Sequence, residues 1–196
     1  GQHDKYYESM KQLLYYSELE KYRNQLEPKQ HMSVLFNYLI ACYTTKRFDE
    51  LMGQLGKFRD IPVRNEVDQA GIFVRSHQLE QGAYLSTGQI VKPNIEQRIE
   101  DGLAKFEAHV EARHLIVLEF QMFTLCFYQG EYKSALKWLN RVINNDTKYR
   151  QDIMRAALIL NPILHFELEN FELVESLLHS VSRKFRKNKL EGYELK

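Results

Sequence analysis

Glycine and proline are scarce in this chain, which has 9 glycines and 4 prolines among its 196 residues. Sheet-rich folds need many tight turns, and tight turns use these two residues, so the scarcity argues against a sheet-rich fold. The two cysteines, Cys42 and Cys126, are too few for a disulfide framework and indicate a reducing compartment. We therefore expect a cytoplasmic protein built from helices, which its many Leu, Glu, Lys and Gln residues also favour.

The chain also lacks an excess of charge of either sign and any long apolar run. Its 27 basic and 26 acidic residues create no overall attraction to nucleic acid or to an anionic membrane. No apolar run approaches the roughly 20 residues of a membrane-spanning helix, and no signal peptide opens the chain. Gly1 is not an initiator methionine and the last residues are charged and helix-compatible, so we expect a fragment of a longer protein.

Apolar residues recur at helical spacing in nearly every long segment. The segment 111–129 carries two adjacent stripes, Leu115, Leu118, Met122, Leu125 and Cys126 beside Ile116, Phe120, Phe123 and Phe127. Two stripes predict a helix that is packed from both sides, whereas the segment 132–145 has one stripe and a basic opposite face. Gly130 between them suits a left-handed helix end, so the two segments form a helical hairpin.

The hairpin pattern recurs along the chain. An aromatic residue ends one helix and another opens the next five residues later, in the pairs Tyr43–Phe48, Phe127–Tyr132 and Phe166–Phe171. The gap between the first two pairs leaves room for one more unit, with Asn94 capping its second helix. We expect about nine helices in a single domain, 1–196, with units at roughly 30–61, 67–111, 112–146 and 149–187 after a leading helix 4–26.

The window from Tyr128 to Leu136 resembles the centre of a tetratricopeptide repeat. Gly130, Tyr132 and Ala135 match the glycine, aromatic residue and alanine of that family, whereas Phe123 and Cys126 depart from it. In the other two windows Phe48 and Phe171 match. The basic segment that closes the array is similar to that of uncharacterised bacterial proteins of this type.

The resemblance implies an all-α fold, a right-handed superhelical stack of antiparallel helix pairs known as an α-solenoid. The inner surface of such a stack binds extended peptides or helices. By the geometry of the family, its groove would be lined by Asn37, Ile40, Thr44, Gln121, Thr124 and Tyr128. Ser33 and Val117 stand where the family's carboxylate-clamp lysines would lie, which argues against binding of acidic C-terminal chaperone tails.

No constellation of residues in the chain predicts catalysis or a cofactor. Glu107, Glu111 and His114 have the spacing of one helix face, but a helical di-metal site needs a second Glu-x-x-His pair on a facing helix. We interpret these three residues as a solvated stripe beside Arg113 and predict no metal. His165 and the two cysteines fall on one repeat position, where buried core residues are expected.

The densest basic run contains Arg183, Lys184, Arg186 and Lys187, which are candidate contacts for an anion. Phe185 continues an apolar stripe through the same run, which favours a last helix with a wet basic face.

We therefore expect a non-catalytic scaffold that holds a peptide or helix of a partner protein in its groove. The alternative is a regulatory or nucleic-acid-binding module that uses the basic segment, although we expect neither nucleic acid nor a membrane as the main partner. Self-association into homo-oligomers is a further possibility, because terminal repeats without polar caps expose apolar surface.

Overall fold

The computed structural model describes residues 1–19, 27–88, 94–145 and 149–187, with side chains to residue 184. In these ranges the chain forms helices and has no strand, which confirms the all-α class. Nine α-helices lie within the described ranges: α1 Gln2–Glu18, α2 Pro28–Thr44, α3 Phe48–Arg59, α4 Glu66–Thr87, α5 Ile95–Phe106, α6 Ala112–Tyr128, α7 Tyr132–Ile143, α8 Gln151–Glu167 and α9 Phe171–Lys187. No helix within these ranges is long and apolar enough to cross a membrane.

The helix ends differ from the predicted ones at several points. The leading helix α1 spans Gln2–Glu18, and residues 20–26 lie outside the described ranges. Helix α5 ends at Phe106, and a short 3-10 turn, Glu107–His109, follows it. Asn94 precedes α5 as predicted, but its side chain makes no capping hydrogen bond because its own backbone is left-handed, with φ of 70°.

The chain divides into two compact units, Gly1–Leu115 and Ile116–Lys196. In the first unit, α2 packs against α1, α3 and α4, while α4 also packs against α3 and α5. In the second unit, α8 packs against both α7 and α9. Most helices that are consecutive along the chain thus pack against each other within each unit, as short connections between helices favour.

The three predicted hairpin turns have the same backbone geometry. Lys46, Gly130 and Glu169 occupy the left-handed region, with φ of 60°, 73° and 60°. The next amide in each turn donates to the carbonyl five residues back, at 2.8, 2.9 and 2.9 Å. The flanking rings meet in all three pairs, with centroids 5.5 to 5.8 Å apart. The prediction of a left-handed Gly130 is confirmed, and lysine and glutamate adopt the same strained conformation in the other two turns.

Carboxylates join the helices within each unit. Glu50 of α3 accepts hydrogen bonds of 2.7 Å from Tyr7 of α1 and Tyr38 of α2. The hydrogen bonds from Tyr38 and Tyr7 lower the pKa of Glu50. In the second unit, buried Glu119 of α6 accepts a 2.7 Å hydrogen bond from Arg141 of α7. Charged hydrogen bonds of this kind hold helices in register as well as together.

Several residues of the predicted apolar stripes are buried, together with Cys42, Cys126 and His165. On α6, Ile116 and Phe123 of one stripe and Leu118 and Met122 of the other are almost fully enclosed, which confirms that this helix is packed from both sides. Cys42 and Cys126 are buried free thiols. His165 is buried as well, and its Nδ1 lies 3.1 Å from the side-chain amide nitrogen of Asn170.

Candidate functional site

The first predicted groove stripe lies on α2. Asn37 and Thr44 are exposed there, and Ile40 is half-buried against the core of the first unit. The hydroxyl of Thr44 donates to the carbonyl of Ala41 in its own helix, at 3.1 Å. The groups that this stripe can offer to a ligand are therefore the side-chain amide of Asn37 and the exposed edge of Ile40.

The second predicted groove stripe lies on α6, in the second unit. Gln121 and Thr124 are half-buried, and Thr124 donates to the carbonyl of Phe120 at 2.8 Å. Tyr128 ends the helix and is 78% exposed. Of the three side chains, the tyrosine presents the largest surface to solvent, and a phenol ring with a free edge is a common contact in protein interfaces.

The basic run lies at the end of α9. Arg183 and Lys184 are exposed on this helix, while the side chains of Arg186 and Lys187 lie outside the described part. The predicted helix with basic residues in its last turn is confirmed for the backbone up to Lys187.

The three residues weighed as metal ligands do not share a helix. Glu107 lies in the 3-10 turn, Glu111 precedes α6, and His114 belongs to the first turn of α6. The stripe that their spacing predicts is therefore wrong, because α5 ends at Phe106 and the helical phase is lost. Glu111 pairs with Arg113 at 2.7 Å on the surface, which agrees with the interpretation as solvated charge.

A surface of large apolar side chains covers the hairpin of α8 and α9. On α8, exposed residues recur at i, i+4 and i+7, at Ile159, Ile163 and Phe166, and the last is 58% exposed. Helix α9 adds Phe171, Leu173 and Leu178, which are also exposed. The rings of Phe166 and Phe171 meet edge to face with centroids 5.5 Å apart, so they join the exposed stripe of α8 to α9. On α9, Leu178 lies on the same face as Phe171, and Leu173 lies about 200° around the helix from it. We call these six residues the α8–α9 apolar surface.

The sequence of α8 shows two apolar stripes, but periodicity alone does not tell which of them is exposed. Helix α8 has two apolar stripes, as α6 has, and the buried one contains Ile153, Ala157 and Leu164. On α6 both stripes are covered, whereas the second stripe of α8 is exposed. Pro162 lies between the stripes and is buried, and α8 continues through it from Gln151 to Glu167.

A second unusual region lies on α4, where charged groups are buried. The side chain of Glu80 is 2% exposed and forms a 2.7 Å ion pair with Arg59 of α3. Arg98 of α5 approaches the same carboxylate at 3.3 Å. Burial alone would raise the pKa of Glu80, but the charge and hydrogen bond of Arg59, together with the charge of Arg98, hold it below its usual value.

His77 lies one turn before Glu80 and is 8% exposed. Its Nδ1 is 2.9 Å from the carbonyl of Phe73, so this nitrogen carries a proton and donates it. Burial, together with the nearby charges of Arg59 and Arg98, lowers the pKa of His77 to about 4. The imidazole is therefore neutral at physiological pH.

The comparisons with known proteins add no family to this geometry. The chain matches no protein-family model, no curated protein and no solved structure.

Proposed function

We propose that this chain is a non-catalytic module that binds a helix or an extended peptide of a partner protein. The α8–α9 apolar surface carries the proposal, because six large apolar side chains lie exposed on one helical hairpin. Contiguous apolar patches on soluble proteins mark interaction sites more often than not, since each exposed side chain forgoes the free energy of burial.

The shape of this surface fits an apolar partner segment. Ile159, Ile163 and Phe166 follow one helix face over two turns, a spacing that matches the i, i+4 and i+7 anchors of an amphipathic partner helix. The edge-to-face ring pair at its end offers an aromatic contact of the type enriched in interface hot spots.

The same proposal includes stacking of the helix pairs as a tetratricopeptide-like α-solenoid. The support is the shared geometry of the three hairpin turns, each with a left-handed residue and an aromatic pair at the same offsets. On this proposal the predicted groove residues of α2 and of α6 are further candidate contacts for the partner, each within its own unit.

Capture of the partner from a lysate of the source organism tests the proposal. The purified chain serves as bait at low and high salt, with and without nuclease, and retained proteins are identified by mass spectrometry. An apolar interface predicts one discrete protein that survives both treatments. Retention that falls steeply with salt or nuclease would instead assign the contact to the basic end of α9 and to nucleic acid.

Two double variants locate the contact once a partner is known. Ile163→Ser with Phe166→Ser removes apolar area from α8, and we expect at least a tenfold loss of affinity, which corresponds to about 1.4 kcal/mol. Asn37→Ala with Gln121→Ala changes the groove stripes, and we expect a smaller loss. If affinity is unchanged by the α8 pair and lost with the groove pair, the groove is the site and the α8–α9 apolar surface is not. Circular dichroism of each variant controls for loss of the fold.

A further inference from the structure

A pocket of about 390 Å³ opens in the first unit beside the middle of α4. The last residue of α3, the connection around Ile61 and Val63, and the end of α5 complete its walls. The volume is that of a site for a small organic ligand, and the walls combine apolar and polar groups in the way such sites do.

The charged groups of the wall are cations. Arg59 and Lys105 line the pocket, and no carboxylate lines it. Glu80 pairs with both Arg59 and Arg98, so this group of three retains one positive charge. Lys105 makes no ion pair with any residue in the described ranges, and its ammonium lies over the ring of Phe106, 4.7 Å from the centroid. An anion in the pocket would therefore meet a net of two positive charges, after the carboxylate of Glu80, which pairs with Arg59 but does not line the pocket, is counted against the three cations.

The remaining wall has an apolar side and a neutral polar side. The rings of Phe73 and Phe106 lie 5.7 Å apart, and Ile72 extends the apolar side. Ser76 and His77 form the polar side, and the pKa of His77, lowered to about 4 by burial and the nearby arginines, keeps this imidazole uncharged. A ligand with both a charged end and an apolar body would find a matching surface for each.

The helix directions favour a singly charged ligand over a phosphate dianion. Arg59 is the last residue of α3 and Phe106 the last of α5, so two helix C-termini lie at the pocket. The partial negative charge of each C-terminus reduces the attraction for any anion, and it opposes a dianion about twice as strongly as a monoanion, whereas phosphate sites use helix N-termini instead.

We propose that this pocket binds a small organic carboxylate that carries an apolar group. The carboxylate lies between Arg59 and Lys105, and the apolar group packs against Phe73, Phe106 and Ile72. The ligand is either a free organic acid or the C-terminal residue of a peptide, since both present this chemistry. The site is independent of the α8–α9 apolar surface and does not require a protein partner there.

Calorimetric titration of the whole chain with 4-phenylbutanoate tests the proposal. We expect saturable binding of the acid and none of 4-phenylbutanamide, which has the same shape without the charge. Acetate and inorganic phosphate, which lack the apolar group, should not bind at the same concentrations. Equal binding of the amide or of phosphate would overturn the proposal, and so would failure of both 4-phenylbutanoate and N-acetylphenylalanine to bind.

A lysine pair supplies the matched variants. Lys105→Ala should weaken 4-phenylbutanoate binding by roughly 3- to 10-fold, the effect of one partly exposed charge contact. The residue is exposed and unpaired within the described part of the first unit, so the variant should fold. Lys133→Ala removes an exposed lysine of α7 that does not line the pocket and should leave binding unchanged. Equal affinity of the Lys105→Ala protein and the unmodified chain would contradict the assignment.

N-acetylphenylalanine separates the two sources of the ligand. It presents the free carboxylate of a C-terminal residue, and N-acetylphenylalaninamide is its uncharged control. Tighter binding of N-acetylphenylalanine than of 4-phenylbutanoate would identify a peptide C-terminus as the ligand. The reverse order would identify a free organic acid, and failure of both acids to bind would refute the site.

Discussion

Helix α4 in the first unit and the α8–α9 hairpin in the second distribute polarity in opposite ways. Helix α4 buries Glu80, His77 and Gln81, while α8 and α9 expose six large apolar side chains. Both arrangements cost free energy relative to the usual one, in which apolar groups are inside and charges outside. The two costs are met differently, because Glu80 and His77 have partners in the first unit, whereas the apolar side chains of the second are exposed in the chain by itself.

The buried carboxylate should give the largest effect on stability. Arg59→Ala leaves Glu80 with the more distant Arg98 alone, and the free energy of unfolding should fall by about 3–5 kcal/mol, as when one partner of a buried pair is removed. Urea unfolding followed by circular dichroism measures the change. Arg113→Ala breaks an exposed pair and should cost at most about 1 kcal/mol. Similar losses in the two variants would mean that burial of Glu80 does not set its importance.

The neutral imidazole of α4 predicts a pH dependence of the stability. The pKa of His77 falls from its ordinary 6.5 to about 4 in the folded chain, so between these values the unfolded chain binds a proton that the folded one does not. The stability that the neutral His77 contributes to the folded chain is fully present above pH 6.5, and it is lost as the pH falls towards 4. Between about pH 7 and about pH 5 the loss should be about 2 kcal/mol.

His77→Gln removes this titration, so the difference in unfolding free energy between about pH 7 and about pH 5 should shrink relative to the unmodified chain. The lowered pKa of Glu80 affects stability only below its ordinary value of 4.5, so it does not mask the histidine in this window. An equal pH dependence in the variant and the unmodified chain would contradict the role of His77.

A close contact beside the pocket should give a smaller effect. A Cβ at Gly102 of α5 would lie 2.0 Å from the ring of Phe73, which is itself held between His77 and Phe106. Gly102→Ala should therefore lower the unfolding free energy by at least about 1 kcal/mol through overpacking. Gly53→Ala has open space around its Cβ and should instead raise it by about 0.5–1 kcal/mol. If both variants gain stability, α5 is not held against Phe73 as described.

The smallest effect should come from the exposed stripe of α8. Ile163→Ala should lower the unfolding free energy by no more than about 1 kcal/mol, because much of this side chain remains in solvent. Its neighbour Leu164 is fully buried, and Leu164→Ala should cost about 2–5 kcal/mol. A large loss in the Ile163→Ala chain would mean that this stripe is covered within the free protein.

The parts of the fold that could be predicted are those that local pattern determines. The aromatic pairs and Gly130 placed the three hairpin turns correctly, because a helix end depends on a few neighbouring residues. The two covered stripes of α6 followed from periodicity. The prediction that Glu107, Glu111 and His114 share one helix face was wrong, because α5 ends at Phe106 and the helical phase between Glu107 and His114 is lost.

The two unusual regions could not be predicted from pattern. By pattern alone, Glu80 and His77 would belong to a polar, exposed face of their helix. Glu80 can be buried because Arg59 of α3 and Arg98 of α5 pair with it, and these contacts depend on the tertiary structure. The second stripe of α8 reads like that of α6, and whether it is covered depends on tertiary packing. Periodicity identifies apolar faces but does not say which of them the chain itself buries.

The most direct test of whether the partner binds the α8–α9 apolar surface is an NMR spectrum of the isoleucine methyl groups, recorded while the labelled chain is titrated with the captured partner. Ile159 and Ile163 report on the α8–α9 apolar surface, Ile40 reports on the groove stripe of α2, and buried Ile153 is the control on α8 itself. We predict that the methyl signals of Ile159 and Ile163 shift most, while that of Ile153 shifts little. Shifts at Ile40 with unchanged signals from Ile159 and Ile163 would contradict this prediction and place the partner elsewhere.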